Sequence, residues 1–189
     1  MVFRGKEALR HLFFSINFML MDKPLVNRVA KSGLLTINLE DYYPNGEIVD
    51  FDLKDFLFQA LILREKEFRA ALKEHDWAVY KDKHVVVFCS TDAIIPMWAY
   101  MLVSSYLKGV ACSVFQGSKE EFIKHSMLSA IEALDEEAFR DRRLVIKGCG
   151  DKPVPAAAYA AFVWKVQDVA RSIMFGEPCS TVPVYKKKA

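Results

Sequence analysis

The sequence predicts an α/β fold: a single domain built on a mainly parallel sheet covered by helices on both faces. Short β-branched runs alternate with longer helical patterns along most of the chain. Hydrophobic residues make up 52% and charged residues 26%, which argues against disorder. The length, 189 residues, suits one core of ordinary size.

The first segment stands apart. Leu12 to Met21 is apolar and follows Arg4, Lys6 and Arg10, a superficial likeness to a signal peptide. It lacks a small-residue cleavage site and is too short to span a bilayer. We read Met19 or Met21 as the true start, with residues 1–20 an N-terminal extension and 21–189 the domain; a short helix or anchor is the alternative.

No repeat period, Gly/Ser linker or low-complexity tract is evident in the remainder. Leu34 to Leu39 reads as a strand, followed by a turn at Pro44-Asn45-Gly46. A helical stripe is expected from Asp52, an N-cap, through Leu53, Phe56, Leu57, Ala60, Leu61, Phe68, Ala71 and Leu72. Arg64 lies on that stripe and is expected to be paired or to reach for solvent. His84 to Phe88 reads as a strand covered on both faces.

Ile94 to Leu107 is apolar nearly all round, with Pro96 in its first turn and Gly109 just beyond, and predicts a deeply buried helix. Val110 to Phe115 is the next strand. Ser118-Lys119-Glu120-Glu121 matches a capping box, opening a helix with Ile123, Met127, Ile131, Leu134 and Ala138 on its stripe. Leu144-Val145-Ile146 is a further strand. A long helix is then expected from Ala156 to Phe175, ended by Gly176 and Pro178, with Thr181 to Tyr185 a last extended edge.

Formal net charge is +2, and the basic excess of the first twenty residues accounts for it. A balanced surface gives no electrostatic footprint for nucleic acid. With the short apolar run, it gives no membrane span either. The four cysteines, Cys89, Cys112, Cys149 and Cys179, are not needed as staples in a chain this long, which suits a reducing cytoplasm.

In α/β sheets, ligands bind beyond the carboxyl ends of the strands. Cys89–Asp92, Gln116–Gly117 and Gly148–Asp151 are the loops at those ends. Two of the three carry a cysteine at or beside the strand end. A thiolate near the start of the helix after Cys89 would have a lowered pKa. Cys89, Asp92, Cys149 and Cys179 together supply three sulfurs and one oxygen, a mix that suits tetrahedral zinc or an iron site. No Cys-x-x-Cys pair anchors that set. Cys112, inside a strand pattern, reads as packing.

Cys179 poses a geometric difficulty. If the last helix runs to Phe175, about twenty helical residues span ~30 Å and leave it at the opposite edge. It then joins the others only if the chain bends back, or through a second copy in a homo-oligomer.

Other chemistries lack their motifs. There is no phosphate loop, and Pro153 stands where a dinucleotide fingerprint starting at Gly148 needs its third glycine. No nucleophile elbow or His-Glu-x-x-His helix occurs. His84 opens its strand, at the wrong end for the site, and His75 and His125 read as surface or capping groups. Trp77, Trp98 and Trp164 read as core or interface anchors.

Leu25–Gly33, Asp76-Trp77, Phe88–Pro96 and Gly176–Pro183 together resemble one family, the bacterial domain-of-unknown-function 2480 family. The resemblance runs from about Met21 to the C-terminus and carries no assigned activity. Genes of that family tend to lie beside those of the SUF-type iron–sulfur assembly system, which implies an accessory role there, with SUF assembly proteins as partners. It also implies zinc, iron or an iron–sulfur cluster as the group the cysteines would hold. Two other functions fit the residues: an enzyme using Cys89 as a nucleophile, and a partner-binding module with ordinary cysteines.

Overall fold

In the computed structural model, residues 33–148 and 150–188 are described. All but the first two of them fall in one compact unit, Leu35–Ala189. The proposed extension, residues 1–20, and Cys149 lie outside the described residues. Among the described residues no helix is long and apolar enough to cross a membrane.

The fold is α/β, but the strands among the described residues form two sheets instead of one. β2 (Ile48–Asp52), β3 (His84–Phe88) and β4 (Ser113–Gln116) make a parallel three-stranded sheet in that order. The second sheet has the order β1-β5-β6-β7, from β1 (Leu34–Asn38), β5 (Arg143–Lys147), β6 (Ser172–Glu177) and β7 (Ser180–Lys186). There β5 and β6 are parallel, whereas β6 and β7 form an antiparallel hairpin. The helices among the described residues are α1 (Glu65–Glu74), α2 (Met97–Leu107), α3 (Lys119–Glu132) and α4 (Ala156–Val166).

Several expected elements have different bounds, for local reasons. Ile48-Val49-Asp50-Phe51-Asp52 is a strand, and Asp52 caps only a 3-10 turn over Leu53–Phe56. Gln59 and Ala60 then take positive φ values of 49° and 55°, which no helix accommodates, so α1 waits until Glu65. Arg64 pairs with Glu67 at 3.0 Å and lies over the Phe58 ring, as a paired arginine should.

The helix expected to reach Phe175 ends at Val166, and Ser172–Glu177 is a strand. Val166, Ala170 and Ile173 are all fully buried in one core, so burial keeps a helix-like spacing across the break. That coincidence made a helix and a strand read as one element.

α2 is not deeply buried. Ala99, Val103 and Leu107 are inside, but Ile94 in the preceding loop is 93% exposed, and Met97 and Met101 are each 71% exposed. Cys112 is likewise exposed, in the turn before β4, and not packed as expected. Trp164 stands 89% exposed on α4, whereas Trp77 and Trp98 pack against the core. The capping box forms: Ser118 Oγ accepts from Glu121 N–H at 3.2 Å, and Ser118 N–H donates to Glu121 Oε2 at 2.8 Å.

The chain carries an internal repeat that the residues alone did not announce. From His84 at the start of β3 to Arg143 at the start of β5 is 143 − 84 = 59 residues. The same offset relates Met97 to Ala156 at the starts of α2 and α4, and Trp77 to Glu136 at the starts of two 3-10 turns. Caps and turns repeat with it. Asp76 and Asp135 each accept a backbone N–H two residues on at 3.0 Å, and Asp82 and Asp141 both take positive φ. Asp82 N–H donates to Val110 and Asp141 N–H to Val169, again 59 apart.

Each repeat has its own core. One gathers Phe68, Leu72, Val85, Val87, Ala99 and Val103; the other gathers Met127, Ile131, Leu144, Ile146, Ala158 and Phe162, position for position. Burial of such side chains is the main stabilising term in each half. β2, with its Asp52 cap, flanks the first repeat; β1, with the matching Asn38 cap, flanks the second. The repeat was hidden because it conserves volume and caps more than letters: His-Val-Val-Val-Phe corresponds to Arg-Leu-Val-Ile-Lys.

Candidate functional site

β3 runs its apolar residues Val85 to Val87 through the core and ends at Phe88, so Cys89 emerges at the carboxyl edge of a parallel sheet. Cys89 is half-buried, and its Sγ lies 3.2 Å from Thr91 Oγ1. The next residue is tied down: Ser90 N–H donates to Asp52 Oδ1 at 3.0 Å. Asp52 sits at the end of the neighbouring strand β2, and the same oxygen caps Lys54 N–H at 3.0 Å. Lys54 Nζ stands 3.3 Å from the other carboxylate oxygen.

The electrostatics of Asp52 follow from these contacts. Partial burial raises its pKa, but hydrogen bonds from Ser90 and Lys54 outweigh burial and hold the carboxyl below its ordinary value. The charged form is therefore the one that holds the loop. Further along, Ile95 is 6% exposed and anchors the loop in the core, while Pro96 is the N-cap residue of α2. Between those anchors Asp92 and Ile94 face outward.

One turn into α2, Tyr100 is half-buried near the thiol. Its phenol pKa is raised, first by burial and then by the charge of Cys89. The wall of the site thus carries one sulfur, the Thr91 hydroxyl and a phenol that stays neutral.

The equivalent edge of the second sheet is built from different residues. Gly148 is buried, and Gly150 N–H donates to the Glu40 carboxylate. Lys147 Nζ lies 3.6 Å from Glu177 Oε1, so the ends of β5 and β6 share this edge. Cys179 is exposed in the turn between β6 and β7. It therefore lies at the carboxyl edge, not at the opposite edge that a helix to Phe175 would require. The chain does bend back, by means of β6.

Cys89 and Cys179 end different sheets. Among the described residues, no three His, Cys, Asp or Glu side chains come together to hold a metal ion. Cys89, Asp92 and Cys179 do not form such a group by themselves, and Cys149 lies outside the described residues. His84 is at the far end of its strand, where Nδ1 meets Ser113 Oγ and Nε2 meets the Asn45 carbonyl, both at 2.7 Å. His75 is the C-cap residue of α1, half-buried among aromatic rings with Trp77 at 4.8 Å.

Asp52 and Tyr100 were missed as site residues by sequence reasoning. Asp52 had been taken only as a helix cap, since its partner Ser90 is 38 positions away. Tyr100 lay hidden in a run taken as buried on all sides.

The model of the family described as "Protein of unknown function (DUF2480)" matches residues 23–187. The chain belongs to this family. The match spans both repeats of the DUF2480 chain and both strand-end loops. No curated protein and no solved structure matches the chain.

Proposed function

We propose that this DUF2480 chain is an accessory protein of iron–sulfur cluster assembly that accepts sulfur on Cys89. The observation that carries this reading is the thiol's setting: a half-buried cysteine at the carboxyl edge of β3, in a loop held by Asp52, with a hydroxyl 3.2 Å from its sulfur. A thiol is the nucleophile for sulfur transfer in its ionised form.

The transfer is balanced without an outside oxidant. The Cys89 thiolate attacks the terminal sulfur of a donor persulfide, a new S–S bond forms at Cys89, and the donor's own S–S bond breaks. The donor leaves as a thiolate. Ile94, Met97 and Met101 support the partner-facing side of this reading, because they place an exposed apolar surface beside the thiol loop.

A metal at Cys89 is the competing form of the same reading. It would need ligands from Cys149 or from a second copy of the chain. Incubation with glutathione persulfide followed by peptide mass spectrometry separates the two, alongside elemental analysis of protein purified without oxygen. Sulfur on Cys89, lost in Cys89→Ser, supports transfer. Stoichiometric zinc or iron lost in Cys89→Ser, with no sulfur accepted, replaces it with a metal site.

A further inference from the structure

The two repeats differ on their outer faces. α2 and α4 are equivalent, so Ser104 and Ser105 of the first repeat occupy the positions of Val163 and Trp164 in the second. Both serines are exposed, and their hydroxyls donate to the carbonyls of Tyr100 and Leu102 at 2.8 and 2.7 Å. That is a helix face suited to water. In the same place the second repeat sets an indole that is 89% exposed.

The second repeat also adds a strand. Ser113 at the start of β4 answers to Ser172 at the start of β6, but β4 leads into α3 whereas β6 turns back into β7. Between α4 and this added strand lies an apolar groove of about 560 Å³. Tyr159, Ala160 and Val163 line it from the helix, and Phe175 and Val184 from the sheet. Phe175 pairs with Val182 across the hairpin, which sets both side chains on the groove's side. Val182 and Val184 are 63% and 52% exposed.

Trp164 stands beside this groove, one turn beyond Ala160 on α4. Its ring does not fill the groove of its own chain, because it is 89% exposed. A projecting ring and an apolar hollow therefore share one face. An isologous contact needs that arrangement, since a two-fold axis between them seats each ring in the other copy's hollow. Ala156 and Ala160, exposed on the same stripe of α4, put little bulk in the way.

The area is of the right size. Trp164 offers about 200 Å² of apolar surface, and Phe175, Val182 and Val184 about as much again between them. Interfaces are roughly 57% apolar, so apolar surface on the order of 400 Å² implies about 700 Å² per partner. Stable pairs bury about 800 Å² per partner. Joining by strand edges fits less well, because the edge strand β7 carries Pro183, which has no N–H to donate.

We infer that this face joins two copies of the chain in a two-fold dimer, each Trp164 seated in the groove between α4 and β7 of the other copy. The inference is independent of the chemistry of Cys89, whose loop belongs to the first repeat.

Sedimentation equilibrium of the full chain at micromolar concentrations tests it. The expected mass is twice 21.6 kDa. Trp164→Ser, which copies the first repeat, should weaken association by about thirtyfold or more, as loss of a central aromatic anchor does. Val184→Lys, on the groove side, should act in the same direction. Met101→Ser, on the exposed face of α2, should leave the mass unchanged. Should the variants fold poorly, Trp164→p-benzoylphenylalanine keeps an aromatic ring, and light should link it to the Phe175 or Val184 peptide of a second copy. A monomer at every concentration overturns the inference and leaves the face to a different protein. A dimer that survives both Trp164→Ser and Val184→Lys, or links formed only elsewhere, overturns it as well.

Discussion

Asp52 Oδ1 accepts the Ser90 backbone N–H at 3.0 Å, joining the end of β2 to the residue that follows Cys89. One carboxylate thereby caps its own 3-10 turn and fixes the exit of the neighbouring strand. The folded-state pKa of Asp52 is the lower one. Its ionised form therefore stabilises the fold above the unfolded-state pKa of about 3.9, and that contribution disappears as pH falls through the folded value.

Asp52→Asn keeps the shape of the acceptor and removes the charge. We expect it to cost about 1 kcal/mol at neutral pH, since hydrogen bonds to a charged group are the stronger kind. Melting curves of both proteins across pH check this. The gap should be full above pH ~5 and should close as pH drops below ~4. A gap independent of pH would mean that the charge does not hold the loop.

The separate cores predict additive behaviour. Ile95 lies in the core of the first repeat and Ile173 in that of the second. Each Ile→Val change removes one methylene and should cost about 0.5–1.5 kcal/mol. The double variant should lose the sum within ~0.5 kcal/mol in denaturant melts. A larger coupling would show that the two cores behave as one.

Gly148 is required by its neighbour more than by its own backbone. Gly148→Ala places a methyl 2.6 Å from the Tyr159 hydroxyl and 3.2 Å from Val154 Cγ2. Overpacking of this kind should cost about 1–3 kcal/mol. In a Tyr159→Phe background the cost of the same change should fall, because the closest oxygen is gone. Equal costs in both backgrounds would locate the strain elsewhere.

Much of this fold was legible in the residues, and the failures have physical causes. His84–Phe88 and the Ser118–Glu121 capping box depend on local pattern, and both form. The run from Asp52 misled because Leu53, Phe56 and Phe68 are apolar at helical spacing while serving a turn and a helix separated by a kink. The last helix misled because strand residue Ile173 continues the burial rhythm of Val166 and Ala170.

At the site, the loop of Cys89 was visible from the β-branched run before it. Its supports were not, because Asp52–Ser90 is a contact between strands and the space beside Tyr100 depends on tertiary packing. The repeat escaped because a core preserves volume, so Phe68 answers to Met127 and Leu72 to Ile131 without any shared letter.

The most direct test of the account is a competition among thiols in the unmodified chain. Limiting glutathione persulfide is added under oxygen-free conditions, and sulfur on each cysteine peptide is read by mass spectrometry over time. The account predicts that Cys89 takes sulfur first, ahead of the exposed Cys112 and Cys179, although exposure alone favours those two. Loading of Cys112 and Cys179 ahead of Cys89 would contradict it.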